Sequence, residues 1–215
     1  TLSIEHQCYL TSQDNDSSIP TIAVRYYVIE FTKDAEVFSG TSQISATGTT
    51  TGAVSVTGLS TADLDQSFLV YNYTAEDTND GVVGQIITRG KLYDNSGTSA
   101  VEFIRGTAGG TGDTVDIAWY VVRLVDDASN VQRNTTTSSS VTLTNSVDRN
   151  RAFPLVYTTA SGITDTLNFD SVLSRNYLSA DNTLVIDRSS GSGTGTLTAE
   201  WQVIEFTPMT MTNPD

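Results

Sequence analysis

The chain has 215 residues, of which 25 are acidic and only 11 are lysine or arginine, so its formal net charge is −14. Such a surface repels nucleic acid and anionic membranes, and we expect neither as a partner. A single cysteine, Cys8, excludes a disulfide within the chain and with it the disulfide-stapled class of small secreted domains. No apolar run approaches the about 18 residues of a membrane-spanning helix.

The alternation of short apolar runs with polar loops predicts an all-β protein. Gly, Ser, Thr, Asn and Asp separate the apolar runs, and no long stretch has a helical period. The only helix expected is a short one at residues 60–65. The predicted strands, in chain order, are 22–31, 36–46, 53–57, 67–74, 84–89, 100–105 and 114–124, followed by 130–136, 139–144, 152–158, 167–174, 182–188 and 197–206.

Three near-copies of one strand occur along the chain, and we call them the signature segments: residues 26–31 (YYVIEF), 119–124 (WYVVRL) and 201–206 (WQVIEF). The blocks between them also match in order, namely 67–71 with 152–156, 86–92 with 172–178, and 101–105 with 184–188. A fixed order of matching blocks is typical of internal repeats. We therefore predict two tandem antiparallel β-sandwiches of jelly-roll or immunoglobulin type. Their bounds are 21–124 and 125–206, with an N-terminal arm at 1–20 and a C-terminal tail at 207–215.

The signature segments are apolar on both faces, although a strand with one solvated face alternates apolar and polar residues. One face carries Trp119, Val121 and Arg123, and the opposite face carries Tyr120, Val122 and Leu124. Two explanations remain open. Either long loops shield the tryptophan face of a central strand, or the second face packs on the other repeat or on another subunit.

One signature segment is surplus, because three copies serve two repeats. Residues 21–31 either open the first sandwich or act as a strand donated to another repeat or subunit through backbone hydrogen bonds. A sheet edge left open invites aggregation, so something must cover it.

Residues that could carry chemistry are few. The only histidine, His6, lies near Cys8, and two such ligands are too few for a structural zinc site. Asp14 and Asp16 resemble calcium ligands but lack the spacing of an EF-hand loop, so we expect a solvated loop there. The glycine-rich residues 106–112 lie between two strands and predict a flexible hairpin loop. We expect no catalytic site, no metal and no cofactor.

Arginines recur at matching positions of the two repeats: Arg89 matches Arg175, and Arg105 matches Arg188. A residue present in both repeats predicts one structural role performed twice, either packing on an aromatic ring or binding loop carbonyls with the guanidinium group. The residues predicted to form the structural core of the repeats are Tyr26, Trp119, Trp201, Arg89, Arg175, Arg105 and Arg188.

The repeat pattern resembles that of repeat-built β proteins of tailed phages and environmental bacteria. The matching residues are 119–124, followed by Val-x-Arg at 131–133, then Arg-x-x-Leu at 175–178 and the copy at 201–206. The resemblance covers about residues 23–206. Members are similar to tail, fibre or capsid-decoration proteins. The chain departs from the pattern at Tyr26, where Trp is expected, and at Arg123, where Glu is expected.

The resemblance implies a non-enzymatic structural subunit on the exterior of a virion. Its partners would be copies of itself and other virion or surface proteins, and it would assemble through its tails and through strand-mediated contacts. The alternative is a carbohydrate-binding or adhesive module at a cell surface, with a glycan as ligand. A cluster of Tyr71, Tyr73, Tyr93 and Tyr177 on one open surface would favour that alternative.

Overall fold

A computed structural model of the chain describes residues 35–75, 83–110, 112–125, 129–162, 174–188 and 195–206. Several sequence predictions lie outside these residues: the strand at 22–31 with Tyr26, the arm, the tail, and the candidate ligands His6, Cys8, Asp14 and Asp16. The side chain of Arg188 also lies outside them.

The all-β prediction is confirmed for the described residues, which form twelve strands, a 3-10 helix (Thr61–Gln66) and one α-helical turn, α1 (Val83–Ile86). Ser60 caps the 3-10 helix by accepting a hydrogen bond from the N–H of Ala62, as expected for a helix start near residue 60. The strands are β1 (Ala35–Ile44), β2 (Val54–Ser55), β3 (Ser67–Ala75), β4 (Thr88–Asp94), β5 (Ser99–Arg105), β6 (Val115–Leu124), β7 (Asn130–Thr136), β8 (Ser140–Thr142), β9 (Ala152–Ser161), β10 (Ser174–Ala180), β11 (Thr183–Arg188) and β12 (Thr196–Glu205).

One strand prediction is wrong, and another lies almost entirely outside the described residues. Residues 84–89 contain α1 followed by the start of β4, because a short apolar run does not distinguish a helix from a strand. The true strand is set by the buried positions Thr88, Gly90 and Leu92, which alternate along β4. Of the predicted strand 167–174 only Ser174 is described, and it begins β10, whose few apolar residues gave no strand pattern.

The strands form four three-stranded antiparallel sheets. We call β1–β6 the N-terminal strand set, with sheets β1-β6-β3 and β2-β5-β4, and β7–β12 the C-terminal strand set, with sheets β7-β12-β9 and β8-β11-β10. The six strands of each set have the same order in their two sheets. Each signature strand, β6 or β12, is the central strand of its sheet.

The register of the strands is the same in both sets. Trp119 lies opposite Tyr71 on β3, and Trp201 lies opposite Val156 on β9, which is the pairing that the matching blocks imply. Likewise Arg89 lies opposite Ile104, and Arg175 lies opposite Asp187. Below, residues at the same register positions are called corresponding residues.

Each strand set has its own core between its two sheets. The N-terminal core contains Leu69, Phe103, Trp119 and Val121, and the C-terminal core contains Leu184, Ile186, Trp201 and Val203. Trp119 lies across β1 at Gly40, where a Cβ atom would come within 2.3 Å of the indole Cζ2. Only glycine leaves room for the ring there.

At Arg123 the N-terminal strand set has a basic residue where the C-terminal strand set has the acidic Glu205, so the charges of the surrounding ion pairs are reversed. Arg123 bonds Glu36 at 2.9 Å and Asp63 at 3.0 Å, just before β3. At the corresponding position Glu205 accepts a hydrogen bond from the N–H of Asp148 at 2.8 Å and lies 3.7 Å from Arg151, just before β9. The same junction is thus closed by opposite charges in the two sets.

Candidate functional site: the contact between the two strand sets

The two strand sets meet where the edge of β3 that does not pair with β6 lies on the outer face of sheet β7-β12-β9. Gln202 on β12 donates from its side-chain Nε2 to the carbonyl of Leu69 at 2.9 Å and accepts from the N–H of Leu69 at 2.8 Å. Both residues are buried. The amide side chain therefore replaces a neighbouring strand for one residue of the β3 edge.

Arg133 on β7 continues this cover along β3. Its Nη2 donates to the carbonyls of Leu64 and Ser67. Burial lowers the pKa of Arg133 to about 10, although the charge of Asp65 opposes the shift. The guanidinium group remains charged at neutral pH and satisfies two carbonyls that this contact removes from water.

An apolar seam lies beside these hydrogen bonds and buries part of the second face of both signature strands. Phe68 meets Phe153 edge-on, with ring centroids 6.4 Å apart. The buried members of the seam are Phe68, Val70, Val122, Leu124, Val131 and Ile204. The second apolar face of the signature strands therefore packs in part on the other strand set. In contrast, Tyr120 is 39% exposed.

Two glycines bring a second part of the chain against β9. A Cβ atom at Gly106 would lie 2.0 Å from the carbonyl oxygen of Ala160, and one at Gly84 would lie 2.9 Å from it. The loop after β5 thus packs on the C-terminal strand set at Gly106, rather than forming only a hairpin turn between strands. Both glycines are needed for the close approach.

A charged cleft with a volume of about 320 Å³ opens at the contact between the two strand sets. Glu200 on β12 accepts from Arg89 Nη1 at 3.1 Å and from the hydroxyl of Thr135 at 2.8 Å. Lys91, which also lines the cleft, forms an ion pair with Glu102 at 2.7 Å. The cleft is lined by Leu64, Asp65, Gly90, Lys91, Leu92, Tyr93, Asp94, Arg133, Asn134, Thr135, Glu200, Trp201 and Gln202.

The two carboxyl groups have pKa values shifted in opposite directions. Burial raises the pKa of Glu200, and the hydroxyl of Thr135 and the charge of Arg89 only partly offset it. Burial also raises the pKa of Glu102, but hydrogen bonds from Lys91, Thr50 and Tyr93 outweigh it, and the net pKa is lowered. The carboxyl group of Glu200 in the cleft therefore resists ionisation, whereas that of the neighbouring Glu102 favours it.

Arg105 acts as a structural residue. It is buried, and its three guanidinium nitrogens donate to five backbone carbonyls, those of Ser45, Ala46, Gly48, Gln85 and Asp113, at 2.5 to 3.2 Å. Burial lowers the pKa of Arg105, with the charge of Asp113 acting against the shift. The side chain thus ties two loops and α1 together at one end of the N-terminal strand set, in the carbonyl-binding manner that its sequence position suggested.

The prediction that Arg89 and Arg175 perform one role is wrong. The Arg89 side chain is 16% exposed and pairs with Glu200 across the contact. The Arg175 side chain is 73% exposed and bonds only its neighbour Asp187, with Tyr177 beneath it at 5.1 Å. The two arginines differ because the side chain of Arg89 faces the other strand set, whereas the side chain of Arg175 faces solvent.

The four tyrosines do not form one open surface. Tyr71 is buried, donates its hydroxyl to the Thr88 carbonyl at 2.6 Å and stacks on Tyr73. Tyr93 lies in the cleft and Tyr177 on the other strand set. The sequence feature proposed to favour sugar binding is therefore missing from these four residues.

The residues that make the contact were not predicted as a site, although one signal was available. Gln202 occupies a position that is tyrosine in the other two signature segments, Tyr27 and Tyr120. A polar residue in an otherwise apolar stripe marks a buried hydrogen bond. Arg133, Glu200 and Gly106 gave no comparable signal.

Searches with this chain against protein-family models, curated proteins and solved structures each returned no match. Within the described part of the chain, no group of three or more His, Cys, Asp or Glu side chains could hold a metal ion. No helix there is long and apolar enough to cross a membrane.

Proposed function

We propose that the chain is a non-enzymatic structural subunit of the exterior of a phage virion, of the capsid-decoration, tail or fibre type. In this proposal the two strand sets are tandem repeats of one β-sandwich, and the chain assembles through strand-mediated contacts and its tails. The equal strand order and register of the two sets support the tandem repeat. The resemblance of the repeat pattern to phage proteins supports the virion.

The observation that carries the structural role is the bond between Gln202 and Leu69. Here a sheet face of one strand set holds a strand edge of the other through the buried side-chain amide of Gln202. Repeat proteins gain their stability from such contacts between neighbouring units. A chain that joins its own repeats in this manner is suited to join further units outside itself.

Two measurements test this proposal. Sedimentation and native mass spectrometry of the full chain should show assemblies whose size rises with protein concentration. Electron microscopy of particles from the source, labelled with an antibody to this chain, should show the label at regular positions on a virion surface. A chain that stays monomeric at all concentrations, or a label that never marks particles, contradicts the proposal.

A second candidate is a glycan-binding module, and the charged cleft is the observation that favours it. Lys91, Tyr93, Asn134 and Thr135 present polar groups around a space of about 320 Å³, which is near the lower end of small-ligand sites. A glycan array separates the candidates. Binding that is lost on Lys91→Ala but kept on Arg175→Ala would favour the module, and uniform absence of binding would count against it.

A further inference from the structure

Several sheet edges in the described part of the chain are short or protected. Strand β3 is covered by Gln202 and Arg133, and β2 and β8 have only two and three residues. At Pro154, which corresponds to Leu69, β9 has no N–H to offer a neighbouring strand. Beside β7, the side chain of Gln132 exchanges two hydrogen bonds of 2.8 Å with the backbone of Asn145, so the segment after β8 lies next to this strand.

Strand β1 is the longest edge strand without proline among the described strands. It spans ten residues without proline, and every described backbone partner of Ala35–Ile44 lies on β6. A long edge of this kind is a template for another strand.

The face beside this edge is apolar and open. Val37 is 49% exposed and Tyr120 is 39% exposed. Their corresponding residues in the C-terminal strand set, Val131 and Gln202, are 2% and 4% exposed, because the N-terminal set covers them. The open face adjoins the buried seam through Val122, which lies opposite Val37.

We propose that the first signature segment, residues 26–31 of one copy of the chain, adds as a strand to the free edge of β1 in a second copy. This inference rests on the proposed function and names the partner of that assembly. The segment has the sequence pattern of the strands that β1 and β7 already bind, since β1 pairs with 119–124 and β7 pairs with 201–205. By strand alternation, Tyr27, Ile29 and Phe31 share one face and match the apolar Val37 and Tyr120.

Two observations favour a second copy over the chain's own β1. Strand β6 directly precedes β7 along the chain, yet β6 pairs with β1 and β3, while β7 pairs with β12. A signature strand therefore does not bind the strand that follows it. Moreover, the connection between residue 31 and β1 is Thr32, Lys33 and Asp34, which includes no glycine for the positive φ angles of a tight hairpin.

A contact in which a segment of one copy binds an edge of the next copy is head-to-tail, and it generates rings or open filaments. It can therefore be tested by complementation between two defective full-length variants. Ile29→Pro cannot donate a strand, because proline removes a ladder N–H, but its β1 is intact. Val37→Lys cannot accept one, because it places a charge on the exposed acceptor face, but its segment is intact.

We expect each variant alone to lose the assembled species and a mixture of the two to form a 1:1 heterodimer that grows no further. Native mass spectrometry with one variant isotopically labelled measures this. Tyr177→Lys is the matched control, because Tyr177 lies in the C-terminal strand set and is nearly as exposed as Tyr120. This variant should assemble like the parent chain. Ile29→Lys, checked by circular dichroism, replaces Ile29→Pro if the proline variant does not fold.

The alternatives give different results. If the parent chain assembles and both variants assemble equally well, the inference is wrong while the structural role stands. If each variant only lowers the melting temperature of a monomer and mixing restores nothing, residues 26–31 bind their own β1, and the inference is overturned. A parent chain that never assembles overturns both proposals.

Discussion

Gln202 binds both backbone polar groups of Leu69, a residue 133 positions earlier in the chain. The two hydrogen bonds, of 2.8 and 2.9 Å, are buried, and they join the outer face of one sheet to the edge strand of another. A side-chain amide has the donor and acceptor of a peptide group, so it can end a sheet without adding a strand.

Replacing Gln202 with leucine should destabilise the chain strongly, because it leaves the N–H and C=O of Leu69 buried without partners. Each unpaired group costs about 1–3 kcal/mol, so we expect a loss of about 2–6 kcal/mol in the free energy of unfolding. Urea denaturation followed by tryptophan fluorescence measures it. Gln43→Leu, which removes an exposed hydrogen bond to Asp116, is the control and should have little effect. Equal effects of the two changes would mean that the contact contributes nothing.

Gly40→Ala tests the close approach of Trp119 to β1. A methyl group 2.3 Å from the indole must displace the ring or the strand, and overpacking of this kind costs about 1–3 kcal/mol. Because Trp119→Phe removes the clashing atoms, the double variant should lose less than the sum of the two single variants. Thermal unfolding of all four proteins gives the coupling. Additive losses would show that the ring does not lie over Gly40.

Arg105→Met should lower the free energy of unfolding by at least about 3 kcal/mol, since five carbonyls lose a charged donor. Arg175→Met is the control, because that side chain is mostly exposed and a surface ion pair contributes little. Chemical denaturation compares them. Similar small losses for both variants would contradict the role of Arg105 as the residue that ties the loops.

The pH dependence of the free energy of unfolding should reveal the raised pKa of Glu200. Burial raises its pKa in the folded chain above the ordinary value of 4.5, so in that window the folded state holds more protons than the unfolded state. The free energy of unfolding therefore falls as pH rises through the window, and Glu200→Gln should remove this decline. Denaturation of both proteins at several pH values should show the variant gaining stability relative to the parent as pH rises.

Glu102→Gln provides a control of opposite sign. The folded pKa of Glu102 is lowered, so its contribution is present above its ordinary pKa and is lost as pH falls through the folded value. The Glu102 variant should thus lose stability relative to the parent as pH rises. Differences from the parent that do not change with pH, for either variant, would contradict the assigned shifts.

The sequence by itself determined most of the strands and which positions of the two strand sets correspond. Matching blocks such as 67–71 and 152–156 lie at the same positions opposite Trp119 and Trp201, because alternation of apolar residues is local and fixes which face of a strand is buried. It also indicated, from the two apolar faces of the signature segments, that a second packing surface exists.

Only the tertiary structure decided what the corresponding residues do. Arg89 and Arg175 are the same residue type at corresponding register positions, yet Arg89 pairs with the buried Glu200 and Arg175 lies in solvent. Gln202 and Tyr120 occupy corresponding positions, but one binds the β3 edge and the other remains partly open. The reason is physical: burial and hydrogen-bond partners at an outer face come from the other strand set, whose placement is not encoded in the local pattern of either residue.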